Sequence, residues 1–308
     1  MEDLQPLGLL IEERKQHWLM HCRFVLERLL IPLCHEGKIK TTEPYQRAVV
    51  IIDNRIDEQW LFTVLNTWLM CTPDSEFVLI ADTNSVTQAK ELLKLHAPGL
   101  NACVLDVAQL IPGVQMAEPA HLNAMLKQPE FWRQMPHEPL LIIQTDALLS
   151  RPLHPFFFQF PYLGAPFLPR KHSEYFETRR GDGRISGFFK TDTPIHGSPN
   201  PDVYPHLHGN GGLSIRQRNV MLAICERWGS SSPAEELEDV FFSRHLARVT
   251  SVPPLEIAQA FASETTYNPQ AIGSHACWKF FNSADLGAHL DQHLRAAWSM
   301  AEARRQLS

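Results

Sequence analysis

Leu141-Ile142-Ile143-Gln144-Thr145-Asp146-Ala147-Leu148 is the stretch whose reading decides the fold. Leu140 to Ile143, four consecutive apolar residues after Pro139, predict a short strand buried on both faces, as in a parallel sheet covered by helices. A carboxylate then stands at the strand's exit. In open α/β sheets ligands meet the carboxyl ends of the strands, so Asp146 lies where a metal or a phosphorylated group would be received. Taken alone, it could as well begin a turn.

The residues upstream supply the rest of such a sheet. Ala48 to Ile52 predicts a first strand ending at Asp53-Asn54-Arg55, and Asp57 to Met70 a helix with Trp60, Val64 and Trp68 on one side. Phe77 to Ile80 and Ala102 to Val107 read as strands, Ser85 to His96 and His121 to Gln134 as helices. This βαβ alternation implies a mixed, mainly parallel sheet flanked by helices, with right-handed crossovers.

Downstream, Pro152 to His208 is irregular, proline-rich and charged, which reads as a functional loop or a disordered stretch and predicts a mobile lid over the acceptor. Regularity returns in a strand at Gly212 to Arg216 and in helices at Arg218 to Trp228 and Ala234 to Val249. Helical extensions close both ends of the chain. Over residues 8 to 30, Ile11, Trp18, Cys22, Val25 and Leu29 form an apolar stripe that predicts docking on the main body, with peripheral membrane or partner contact as the other readings. Gly37 to Glu43 is a polar linker. Ser283, a plausible N-cap, starts a last helix with Leu286, Leu290, Leu294 and Trp298 on one side.

The chain has 308 residues, 44% of them hydrophobic, and a net charge of −6, so it forms a core and has no general attraction for nucleic acid. Six widely spaced cysteines without a CxxC pair suit reduced thiols. The acidic start, Met1-Glu2-Asp3, does not resemble a signal peptide, and no apolar run approaches the ~20 residues of a membrane span. These features predict a cytoplasmic protein with a small partner.

Several groups could carry chemistry. Asp53, Asn54 and Arg55 could bond a nucleobase or ribose, yet no GxGxxG or GxxxxGK[ST] follows them, which argues against a dinucleotide or P-loop site. A divalent cation bridging carboxylate and phosphate oxygens would need few protein ligands. In His208-Gly209-Asn210-Gly211-Gly212-Leu213 the glycines either let the backbone lie against a ligand or make a hairpin. Glu238 and Asp239 begin a helix-compatible run, where they either complement the helix dipole or provide a general base. His275 and Lys279 cluster near the chain end.

Taken in order, Gln144-Thr145-Asp146, Tyr162-Leu163-Gly164-Ala165-Pro166, Asn210-Gly211-Gly212, Glu238-Asp239-Val240-Phe241-Phe242, Phe261-Ala262-Ser263-Glu264 and Gly273-Ser274-His275 resemble a domain-of-unknown-function family similar to GT-A-type glycosyltransferases. The resemblance implies an N-terminal helical extension and linker over 1–44, a GT-A-like domain over 45–282 with its donor half ending near 150, and a C-terminal helix over 283–308. It implies transfer of a sugar from a nucleotide-sugar donor, UDP-linked, to a glycan or lipid-linked hydroxyl acceptor.

By the same resemblance, Asp146 matches the last acid of the Asp-x-Asp metal motif and His275 a late metal ligand, with Mn²⁺ or Mg²⁺ as the cation. Asn210 to Gly212 would flank the sugars, and Gln144, Thr145 and Lys279 would contact the donor. Asp239, or Glu238, would be the base of an inverting reaction. Gln144 departs from the pattern, because a neutral amide lends no charge to a cation; Arg151, Arg216 or Lys279 would then share the diphosphate's charge. The other reading of these residues is a catalytically silent carbohydrate-binding or scaffold protein.

Overall fold

The computed structural model describes residues 4–114, 116, 119–167, 207–233 and 236–306. Helix α1 (Leu4–Val25) passes through a π turn at Leu26–Leu30 into α2 (Ile31–His35). Pro32 explains the turn: without an N–H it cannot bond four residues back, and the wider turn absorbs the gap. Next come β1 (Arg47–Ile52), α3 (Glu58–Met70), β2 (Ser75–Ala81), α4 (Thr83–His96), β3 (Ala102–Asp106) and α5 (Val107–Leu110). Asp57 and Asp82 cap α3 and α4 by accepting from the N–H groups of Trp60 and Ser85, each at 2.9 Å.

The expected helix from His121 to Gln134 is two, α6 (Pro119–Leu126) and α7 (Pro129–Gln134), because Pro129 ends the first run and opens the second. Strands β4 (Leu140–Ile143) and β5 (Ala147–Leu149) follow, then β6 (Tyr162–Gly164), β7 (Pro166–Phe167), β8 (Leu207–His208) and β9 (Leu213–Arg216). The chain closes with α8 (Arg218–Trp228), α9 (Glu238–Leu246), α10 (Leu255–Phe261), β10 (Ala262–Ser263), β11 (Gly273–His275), α11 (Cys277–Phe280) and α12 (Ser283–Gln306). Most of the expected lid, 168–206, lies outside the described residues. Its two ends are not irregular: β6 is a strand of the central sheet, and β7 pairs with β8.

The central sheet runs in the order β3-β2-β1-β4-β9-β6. Five of its strands run in one direction and β9 runs against its neighbours β4 and β6, which is the mixed, mainly parallel sheet flanked by helices that the sequence implies. Alternation along β1 and β4 divides the core: Val49, Ile51, Leu141 and Ile143 face α3 and the two terminal extensions, whereas Ala48, Val50, Ile52, Leu140 and Ile142 face α7, α8 and α9. The N-terminal stripe docks as expected. Trp18 is buried against Trp278 with ring centroids 4.4 Å apart, Arg14 donates to the Trp278 carbonyl, and His21 meets His293 of α12 at 2.7 Å. Burying an aromatic side chain of this kind contributes roughly 1.5–3 kcal/mol. Among the described residues, no helix is long and apolar enough to cross a membrane.

The chain leaves β1 to one side for β2 and β3 and returns to its other side for β4, so the strand order reverses between β1 and β4. The crevice outside the carboxyl ends of those two strands is the position at which such sheets bind ligands. Because β9 is antiparallel to β4, the glycine loop that precedes β9 arrives at the same edge, and the Gln144 N–H donates to the Gly212 carbonyl at 2.8 Å.

Candidate active site

Asp146 and His275 lie side by side because of sheet register. Strand β5 pairs antiparallel with β11, setting Ala147 opposite His275, and the Ala276 N–H donates to the Asp146 carbonyl at 2.9 Å. Ala276, immediately after the histidine, has φ of 45°, the one positive value at a non-glycine among the described residues. Such a conformation costs on the order of 1–3 kcal/mol and is held only by surrounding structure. Here the Asp146 carbonyl and the start of α11 hold it.

The His275 Nε2 approaches Asp146 Oδ1 to 3.1 Å, yet neither buried atom has an aligned hydrogen-bond partner among the described residues. On the other edge of the ring, Nδ1 lies 3.0 Å from Glu264 Oε1, which also accepts from the Asn210 side-chain amide at 2.9 Å. Asn210 Oδ1 in turn accepts from the Gly212 N–H at 2.7 Å. Burial works against a charged imidazole, but the carboxylates of Asp146 and Glu264 outweigh it and hold His275 up at about 10. Burial likewise opposes the Asp146 charge, and His275, Lys279 and Arg55 outweigh it, keeping this carboxyl well below the usual range.

The glycines are required by what they touch. A Cβ at Gly212 would enter the His275 ring, and one at Gly211 would meet the Glu238 carboxylate. Tyr162 fixes the start of the loop by donating to the Gly209 carbonyl at 2.6 Å. On the loop's other side, Asp239 Oδ2 accepts from the Gly211 N–H at 3.2 Å and Oδ1 from the Val240 N–H at 2.8 Å. Burial, with the nearby charges of Glu238 and Glu264, raises the Asp239 carboxyl to about 7, while it keeps partial access to solvent.

Its neighbour differs. Glu238 is bound bidentately by fully buried Arg216, at 2.5 and 2.9 Å, beneath the rings of Tyr162, Phe242 and Trp132. Both expectations for this pair need correction: Glu238 is locked in a buried ion pair away from solvent, where no acceptor hydroxyl reaches it, and Arg216 is too deep to meet a diphosphate. Arg151 is also committed, donating to the Pro269 carbonyl at 2.7 Å.

At the β1 exit, Asp53 accepts from Thr145 Oγ1 at 2.6 Å and from the Arg55 side chain at 2.8 and 3.0 Å, and it is only 8% exposed. The Arg55 side chain is 75% exposed. Asn54 is turned away: its amide donates to the Met116 carbonyl at 2.8 Å and accepts from the Asp82 N–H at 2.9 Å, which occupies both groups expected to meet a nucleobase or ribose. Gln144, at the β4 exit, has a half-buried side chain without a hydrogen-bond partner among the described residues. Lys279 is exposed and adds to the positive surroundings of Asp146.

The residue that sequence reasoning left without a role is Glu264. It follows Ser263, which pairs with Ser274, so one step further along β10 brings it level with His275. A carboxylate on the second ring nitrogen fixes the orientation of a ligating histidine. Adjacent corners of an octahedral shell with ~2.1 Å bonds lie about 3.0 Å apart, so the unaligned 3.1 Å contact of Asp146 with His275 suits two donors to one hard cation. No group of three or more His, Cys, Asp or Glu that could hold a metal occurs among the described residues. Only two donors converge here, and His275 would have to release its Nε2 proton before that nitrogen could ligate; the pair would then suit Mg²⁺ or Mn²⁺, whose shells water and phosphate complete, better than a structural zinc.

Fold and site together define a mixed α/β protein with an acid–imidazole pair, a glycine loop and a solvent-reachable carboxyl converging on the carboxyl edge of its sheet. The chain belongs to the family described as a protein of unknown function, DUF5672, which matches residues 105–275, more than half of its length. The curated proteins give no match. Among solved structures it is similar to 4-diphosphocytidyl-2C-methyl-D-erythritol synthase from Anaerococcus prevotii, with 10% identity and a TM-score of 0.37 over 67% of this chain and 83% of that one. It is also similar to the bifunctional glycosyltransferase WbbM in its apo form, with 13% identity and a TM-score of 0.43 over 87% of this chain and 53%, about half, of that one.

Proposed function

We propose that this protein is a glycosyltransferase that moves a sugar from a nucleoside-diphosphate donor, UDP-linked in our reading, to a hydroxyl of a glycan or lipid-linked acceptor. The observation that carries the reading is the pair of buried, unaligned donor atoms on Asp146 and His275 beside the switch-point crevice. These two residues would hold Mn²⁺ or Mg²⁺, whose chemistry is to neutralise charge on the departing diphosphate. Glu264 fixes the His275 ring. The exposed Arg55 and Lys279 add positive charge, and the amide of Gln144, without a partner among the described residues, can bond a phosphate or sugar oxygen where an acid would have bonded the cation.

In the transfer, the bond between the anomeric carbon and the diphosphate oxygen breaks, and the electron pair leaves with the nucleoside diphosphate. The acceptor oxygen forms the new bond, and its proton passes to Asp239, whose carboxyl titrates near neutrality as a general base should. A single candidate base favours an inverting displacement. Six free thiols suit a reducing, cytoplasmic setting.

A second reading, a silent carbohydrate-binding protein, is favoured by Gln144 alone. Incubating the purified protein with a panel of nucleotide sugars and Mn²⁺ separates the two. Slow release of the nucleoside diphosphate, dependent on the cation, supports the transferase, and its absence with every donor overturns it.

A further inference from the structure

Beside Glu264, a cleft of about 310 Å³ opens between the end of α10, strand β10, the loop that follows it and Pro166 of β7. Gln259, Ser263, Glu264, Thr266, Tyr267 and Asn268 line most of it. Its frame is fixed by hydrogen bonds within the loop. Asn268 donates its amide to the Gln259 carbonyl at 2.9 Å, and its backbone N–H donates to Ser263 Oγ at 3.0 Å. The Tyr267 ring is backed by Phe281 and His289, with centroids 5.1 and 6.1 Å away.

Other lining groups are unengaged. The Gln259 amide, the Thr266 hydroxyl and the Tyr267 hydroxyl have no hydrogen-bond partner among the described residues, and all three residues retain access to solvent. Glu264, 7% exposed, has a second carboxylate oxygen, Oε2, that is also without a partner there. A half-exposed aromatic ring beside several unpaired hydroxyl, amide and carboxylate groups offers an apolar face and hydrogen bonds together, which is the chemistry of a sugar ring. The volume, at the lower limit of the ~300–1,000 Å³ typical of ligand pockets, limits the occupant to a single ring. Among the described residues no Lys or Arg is part of the lining, and the cation beside it, Arg151, is tied to the Pro269 carbonyl at 2.7 Å, which leaves Glu264 as the charged group of the wall and disfavours an acidic sugar or a phosphate.

We infer that this cleft binds one neutral pyranose unit of the acceptor, held by Tyr267, Gln259 and Thr266 beside Glu264, whose carboxylate also meets His275. The identification of that sugar as an acceptor rests on the transferase reading above; the binding of a neutral sugar does not. Glu264 would then link the two sites, because the same carboxylate that orients His275 borders the acceptor ring.

The experiment is saturation-transfer NMR on the full-length protein with methyl glycosides of glucose, galactose and N-acetylglucosamine, and with methyl glucuronide as the anionic counterpart. At least one neutral glycoside should receive saturation and the glucuronide should not. Thr266→Trp, which fills the cleft from an exposed position, should weaken that binding about tenfold or more. Melting temperature and Mn²⁺-dependent UDP binding should stay unchanged in this variant. Gln259→Trp should do the same from the opposite wall, which guards against one variant failing to fold. No signal from any neutral glycoside, equal binding of the glucuronide, or neutral binding unchanged in both filled variants would overturn the inference. UDP binding is read on the same samples: its absence from the unmodified protein counts against the donor site, whatever the glycosides do.

Discussion

Two stretches of the sheet's carboxyl edge use similar residues to opposite ends. At the β1 exit, Asp53 has its oxygens filled by Thr145 and Arg55, and Asn54 is spent on Met116 and Asp82. Around the glycine loop, Asp146 Oδ1, His275 Nε2 and Glu264 Oε2 are buried without aligned partners among the described residues, and Asp239 keeps access to water. Closed polar groups stabilise a fold; open ones, when buried, cost free energy that only a ligand or a reaction recovers. The open region falls within the span matched by the family, 105–275, whereas the β1 exit precedes it. Substitutions in the two regions should therefore fail differently, one in chemistry and the other in stability.

The largest effect is expected at Asp239. Asp239→Asn should lower turnover by roughly a hundredfold to ten-thousandfold while leaving donor affinity nearly intact, with a modest fall in melting temperature because one of the backbone N–H groups of Gly211 and Val240 loses its acceptor. The pH profile sharpens the test. With the carboxyl raised to about 7, the protonated form dominates below that pH and the base accumulates above it, so turnover should climb as pH rises through about 7. In Asp239→Asn that limb should vanish. Normal turnover with a lowered melting temperature would mean that this carboxylate only caps its helix.

The adjacent residue should show the reverse. Glu238→Gln leaves the fully buried Arg216 cation without its counter-charge, and breaking a buried pair in this way costs about 3–5 kcal/mol of stability. Denaturant unfolding measures it. A loss below ~1 kcal/mol, the range of exposed pairs, would show that the pair is wetter than the structure has it.

Next in size are Asp146→Asn and His275→Ala, each expected to weaken Mn²⁺-dependent nucleotide binding about 10- to 100-fold, the usual scale for damage to a metal site or its supporting shell. Calorimetry with UDP and Mn²⁺ reads this directly. Unchanged affinity in both, with the fold intact, removes the cation from these residues.

How much of this contrast was legible in the chain depended on the length of the pattern. The strands β1, β2 and β4 are runs of apolar residues bounded by turns and can be read directly. Tyr162-Leu163-Gly164, confined between Pro161 and Ala165-Pro166, is too short to show a period, so in sequence the edge strand β6 is indistinguishable from the irregular segment around it. Asp146 and His275 could be named as partners only through family resemblance, because what joins them is the pairing of two three-residue strands, β5 and β11. Glu264 needed the still shorter β10. Glu238 and Asp239 are chemically alike in sequence; a buried arginine 22 positions away from Glu238 decides which of them is free to react.

The smallest expected effect tests the closed region. Thr145→Val keeps the shape of the side chain and removes the hydroxyl that donates to Asp53 Oδ2 at 2.6 Å. That oxygen still accepts from Arg55 Nη2 at 2.8 Å, so no buried acceptor is left unpaired, and the guanidinium, largely exposed, replaces its 3.1 Å contact with Thr145 by water. Only the net worth of one hydrogen bond should disappear, about 1 kcal/mol of stability. If Asp53 and Thr145 serve to hold Arg55 in place and the donor meets Arg55 itself, nucleotide affinity should change less than about threefold, which is under 1 kcal/mol. A tenfold loss of nucleotide affinity with little change in unfolding free energy would instead make Thr145 a direct donor contact. The β1 exit would then belong with the open region, and the contrast between the two stretches would fail.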